Sequence, residues 1–186
     1  MVFRRVLLRR ALELGVSMLP LACAVAQGIR FAGETQIKAA YLFKFLAFTE
    51  WPARAFDGRE APLVIGVMGS EALMKELSQT VAGRTVADRV VSVRELHAGD
   101  STTGLHVLFV GRAAAHRLNA VLAAAKGQPL LTVGEAEDGQ PQVVAINFVV
   151  VDEKLRFDIL PSAAELAGLK ISSRLLAVAR KVSTGS

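Results

Sequence analysis

The sequence predicts a single-domain α/β protein: a mainly parallel sheet with an antiparallel hairpin near its C-terminus and helices on both faces. Three observations carry that expectation. Short, continuous apolar runs recur at PLVIGVMG (62–69), LHVLFVG (105–111) and PLLTVG (129–134), the pattern of strands buried on both faces. Stretches of helix-forming composition alternate with them, as in a layered α/β fold. Near the end, QVVAINFVVV and KLRFDI flank the polar pair Asp152-Glu153, which reads as a tight antiparallel turn.

The chain opens with MVFRRVLLRR, four arginines and no acid, followed by the apolar run Leu14–Ala26. This reads as a signal peptide over residues 1–26, cut after Ala26, with Ala24 and Ala26 supplying the small residues that cleavage requires. The run is short against the roughly 20 residues of a spanning helix, so export is expected and membrane insertion after signal removal is not. Arg4-Arg5 resembles a twin-arginine signal, which leaves the export route open. Ala22-Cys23 resembles a lipoprotein site, but Pro20 and Leu21 fit that pattern poorly. Removing residues 1–26 takes away four arginines and Glu13, leaving 18 basic and 16 acidic residues, a net charge of +2. Such a balance gives no warrant for nucleic-acid binding. Cys23 is the single cysteine, so the remaining 27–186 can form no disulfide and must be held together by packing. That length suits one domain with one core.

Residues 34–49 read as a helix, free of Gly and Pro until Trp51-Pro52 ends it. The stretch AAYLFKFLAFTEWP (39–52) holds five of the chain's eleven aromatic residues, including its one Tyr and one Trp. Ile37, Tyr41, Phe45 and Phe48 fall within an arc of about 80° at the helical period, with Leu42 and Leu46 widening it. Phe43 points away beside Ala40 and Ala47, so two covers are open for the second side: another segment of this chain, or a second protein. Residues 54–61 read as a polar connection. Ser70 caps a helix over 71–81 that Gly83 ends; residues 89–93 are a strand; 113–125 are a helix stopped by Lys126-Gly127. After an acidic loop (135–139) and the hairpin, Ser162 caps a short helix, Gly168 breaks it, and Ser172 or Ser173 starts a last helix through Ala179. Ser183–Ser186 read as a frayed tail.

No catalytic or metal-binding set emerges. His97, His106 and His116 lack companion ligands at metal-binding spacing. Gly66 to Ser70 sits at a strand–helix junction able to hold an anion, but a turn glycine and a helix cap explain it without one. Glu135, Glu137 and Asp138 lack the spacing of a calcium loop. No cofactor and no enzymatic activity are expected.

The stretches KAAYLFKFLAFTEWP, PLVIGVMG, GRTVADRVVSVREL, HVLFVGR, GQPLLTVGEAEDG, INF and AGLKISSRLLAVAR, in this order and spacing, resemble the YfiR family over nearly all of residues 27–186. The resemblance implies a periplasmic regulator without catalytic residues, which binds the sensory domain of an inner-membrane protein and holds it inactive. A diguanylate cyclase is the expected partner, so that repression lowers cyclic di-GMP and biofilm formation; a histidine kinase is the alternative. Better-known relatives carry cysteine pairs that this chain lacks after export, so disulfide control does not transfer. The resemblance places interaction in the C-terminal portion and nominates Phe148, Glu165, Leu169 and Ile171; helix geometry adds Phe43 and Trp51, and a homodimer through an apolar helix face is expected. The rival reading is a small-ligand site at Ser70, Arg112 and Glu135, at the carboxyl ends of the parallel strands.

Overall fold

The structure, a computed structural model, describes residues 21–135 and 143–183, with side chains from residue 33. The arginine pair, Glu137, Asp138 and the last three residues lie outside the described residues, as does the side chain of Cys23. Contacts divide the chain into residues 1–32 and residues 33–186; the fold below is that of the second unit.

In chain order the elements are helix α1 (Leu21–Ala47), strand β1 (Thr49–Glu50), a 3-10 turn (Ala53–Ala55), β2 (Leu63–Met68), α2 (Glu71–Val81), β3 (Thr85–Val86) and β4 (Arg89–Leu96). Then follow β5 (Val107–Val110), a 3-10 segment (Arg112–Arg117) running into α3 (Leu118–Ala124), β6 (Leu131–Glu135), β7 (Ile146–Val151) and β8 (Lys154–Ile159). The chain closes with α4 (Pro161–Leu166), β9 (Lys170–Ile171), α5 (Ser173–Val178) and β10 (Lys181–Val182).

The expected caps at Ser70 and Ser172 form: each hydroxyl accepts from the backbone N–H three residues on, at 3.3 Å. Ser162 does not cap α4. Pro161 occupies the first turn of that helix, where its fixed φ suits a helix start and its missing N–H costs nothing, and Ser162 falls inside.

The main sheet has the order β10-β8-β7-β6-β5-β2-β4-β3. Strands β4, β2, β5, β6 and β7 are mutually parallel; β8 pairs antiparallel with β7, and β3 antiparallel with β4. Counted along the chain, the five parallel strands stand in the order two-one-three-four-five, which reverses between β2 and β5. A second sheet is a two-residue ribbon, β1 against β9, with Thr49 opposite Ile171. These short strands escaped sequence reading because two residues show no alternation.

One core layer packs α1 and α2 against Ile65, Val67, Phe109, Val133, Phe148 and Phe157. The opposite layer sets Leu118 and Val121 of α3 against Met68, Leu108 and Val110. The sheet is therefore covered on both faces, as continuous apolar strands require. On α1 the inward face is Ala39, Leu42, Phe45 and Leu46; Phe45 and the widening pair Leu42 and Leu46 lie there as expected, and the face is turned away from the Ile37 edge of the stripe. Tyr41 and Phe43 flank this face and Phe48 is half-buried against the core, while Ile37 is 47% exposed. The small side chain of Ala39 lets the helix approach the sheet there, which recentres the face on Leu42 and Leu46.

Candidate interaction surface

Of the six residues nominated for partner contact, two lie in the interior. Phe148 and Leu169 are each 1% exposed, which corrects their nomination as contact residues, since neither side chain is open to a partner. Phe148, on the central strand β7, meets the rings of Phe45 at 5.9 Å, Tyr41 at 6.1 Å and Phe109 at 6.3 Å. Leu169 follows Gly168, whose φ of +75° turns the chain and sends the next side chain inward. Phe43 is half-buried against the core, with the Arg84 guanidinium 5.4 Å over its ring. Its second side is thus covered, in part, by this chain.

Trp51 and Ile171 are half-buried and Glu165 is exposed. The structure brings these three to one region, because the ribbon pairs Thr49-Glu50 with Ile171-Lys170 and the Ser172 N–H donates to the Phe48 carbonyl at 2.9 Å. Helix α4 packs on β9, and Arg54 reaches across to Gly168, where an added Cβ would lie 2.6 Å from its guanidinium. The most exposed large apolar residue here was missed: Leu166, 87% exposed at the end of α4. Ala164 is the buried residue of that helix, and two residues on puts Leu166 about 200° away, on the outer face. Helix phase finds it only once Ala164 is known to face inward. Val178, at the end of α5, is also exposed.

At the strand ends of the rival site, several polar groups make contacts within the protein. The Ser70 hydroxyl is spent as a cap. The Glu135 carboxylate accepts from the Arg112 backbone N–H at 3.1 Å and pairs with Lys38, which also pairs with Glu34. At the reversal point Gly69 and Gly111 pack backbone to backbone: a Cβ on Gly111 would lie 2.8 Å from the Gly69 carbonyl, and one on Gly69 would lie 2.6 Å from Ala114 Cβ. Arg112 and Glu135 are thus joined to each other, while the Ser70 hydroxyl is engaged in its own helix cap.

At the opposite end of the same strands lies a polar cluster that sequence reading did not assemble. His106, 3% exposed, stacks on Phe56 at 4.8 Å and meets Trp51 edge-on at 6.0 Å. Its Nδ1 accepts from the Val64 N–H at 3.2 Å, and its backbone N–H donates to the Val64 carbonyl at 2.9 Å. Arg89 lies 3.8 Å over the Phe56 ring and donates to the carbonyls of Ala61 at 2.6 Å and Gly58 at 3.1 Å. Burial lowers the pKa of His106 below its usual value; the nearby Ala55 carbonyl opposes this, Arg89 adds to it, and Asp57 opposes it. Among the described residues, three buried side-chain atoms lack a hydrogen-bond partner, Trp51 Nε1 and His106 Nε2 in this cluster and Thr49 Oγ1 on β1. Among the described residues no group of three His, Cys, Asp or Glu side chains is placed to hold a metal ion, and no helix is long and apolar enough to cross a membrane.

Residues 35–180 match the sequence profile of the YfiR/HmsC-like family. No curated protein matches the chain.

Proposed function

Because the chain belongs to the YfiR/HmsC-like family, we propose that it is an exported periplasmic regulator that binds the sensory domain of an inner-membrane signalling protein and holds it inactive. A diguanylate cyclase is the proposed target, its silencing lowering cyclic di-GMP. The protein needs no reaction centre for this; it must only bind one conformation of the sensor better than the other. A hundredfold shift of the sensor's equilibrium takes about 2.7 kcal/mol of differential binding, within the range of one or two buried apolar anchors.

The observation that supports the site is Leu166, 87% exposed, beside the ribbon that sets Ile171 near Trp51. Glu165 would contribute to the polar rim around these anchors. Phe43, clasped by Arg84, is a weaker anchor. Self-association is assigned to the outward stripe of α1, where Ile37, Ala40 and Ala47 are exposed. Processing after Ala26 and release without a lipid anchor at Cys23 complete the proposal.

The test is a deletion strain restored with wild type, Leu166→Asp or Ile171→Asp, each shown to be folded by circular dichroism. Wild type is expected to return cyclic di-GMP to its low level and both variants to leave it high. Normal repression by both folded variants would remove this surface from the contact.

A further inference from the structure

His106 stands out as a buried titratable group that repression by surface contact does not use. With Nδ1 accepting from the Val64 N–H, the neutral ring carries its hydrogen on Nε2. That nitrogen is buried, near the Ala55 carbonyl but without a hydrogen bond of normal geometry. The same ring is gripped between Trp51 and Phe56, so it fastens the connection between β1 and β2 to the start of β2. Arg89 fastens the far end of that connection through the Gly58 and Ala61 carbonyls.

We propose that His106 is a proton-operated latch on residues 51–61: the neutral imidazole holds the segment closed, and a proton taken up from solvent at Nδ1 releases it. Protonation converts the acceptor of the Val64 N–H into a donor, so the hydrogen bond that ties the ring to β2 is lost, and the buried cation reaches water only when the segment covering it through Trp51 and Phe56 opens. It also sets a cation beside Arg89, the group that clasps the segment from β4. Asp57, on the segment itself, and Arg89 are the charged groups that act on the ring; Asp57 favours the proton and Arg89 resists it. The closed segment is poised to open, because Trp51 Nε1 and His106 Nε2 lack partners there and would gain them in water. Trp51 borders the proposed partner surface, so acid would alter that surface as well. That consequence rests on the regulatory reading, whereas the latch does not.

The latch is read directly in the purified protein. Replacing the two exposed histidines by His97→Gln and His116→Gln leaves His106 as the one imidazole. In an NMR titration from pH 7.5 to 4.5, His106 is expected to titrate below 6.5, with the Val64 amide, the Trp51 indole N–H and the emission of this single tryptophan following at the same midpoint. Opening should rise up to tenfold per pH unit between 6.5 and that midpoint. Exchange of the Val64 amide should therefore stay level where base catalysis alone would slow it tenfold per unit. His106→Asn, which keeps an acceptor near Nδ1 but cannot titrate, is expected to abolish the acid transition in Trp51 emission. Val64 and Trp51 signals that stay fixed while His106 titrates, or an unchanged transition in His106→Asn, would overturn the proposal. Should His106→Asn fail to fold, the single-histidine titration decides alone.

Discussion

At Gly69 a methyl group would collide with the backbone nitrogen of Ala114 at 2.8 Å, on a residue already held at φ +75°. Gly69→Ala is therefore expected to cost about 2–4 kcal/mol, the sum of overpacking and left-handed strain, measured by urea unfolding. Leu169 and Ile171 separate two kinds of effect. Leu169→Ala should cost about 2–5 kcal/mol as a core truncation, whereas Ile171→Asp, at a half-buried position on the core's edge, should cost less, about 1 kcal/mol of unfolding free energy; the reverse ranking would displace the burial argument. For His106 the lowered native pKa fixes the sign of the pH effect. Below 6.5 the unfolded chain binds a proton that the native ring resists, so this contribution is whole above 6.5 and is lost as pH falls from there toward the native pKa. Wild type should thus show a lower urea midpoint at pH 5.5 than at 7.5, by a larger margin than His106→Asn. None of this was legible at position 106: LHVLFV reads as a strand whichever residue stands second, and the partners Trp51, Phe56 and Val64 come from distant parts of the chain.

Two hairpins turn on residues without glycine. Ala87 and Asp88 have φ of +50° and +63°, Asp152 and Glu153 of +49° and +59°, the left-handed pair of the tight turn whose twist matches the strands. Ala87 has no side chain to ease that conformation, so Ala87-Asp88→Asn-Gly is expected to stabilise by about 1 kcal/mol, read as a higher urea midpoint. The Asp152-Glu153 turn was legible because long apolar runs flank it; its neighbour was hidden by the brevity of β3. At the other edge, Arg180 clasps the buried Asp158 carboxylate through Nε at 2.8 Å and a terminal nitrogen at 2.5 Å, tying β10 to β8. On α1 the period of the helix was plain while its phase was not. The expected stripe runs from Ile37 to Phe45, yet the fully buried positions run from Phe45 through Leu42 and Leu46 to the small residue Ala39.

A mainly parallel sheet covered on both faces followed from the alternation of apolar runs, since continuous β-branched segments have nowhere to go but such a sheet; the order of its strands did not. The contact surface did not follow, because exposure at Leu166 depends on which side of a six-residue helix meets β9. Absence of cysteine beyond residue 26 has a whole-molecule consequence: after the proposed cut, the thermal midpoint of the secreted form should be the same with and without reductant, and mass spectrometry should find Gln27 at its N-terminus. A reductant-dependent midpoint or a retained Cys23 would revise the cleavage site. The small ribbon joins Thr49, near the beginning of the folded unit, to Ile171, near its close. Such a clasp shuts only when both ends of the unit are in place. A receptor that recognised it would ignore nascent, clipped or half-assembled copies, and would be silenced by finished molecules alone.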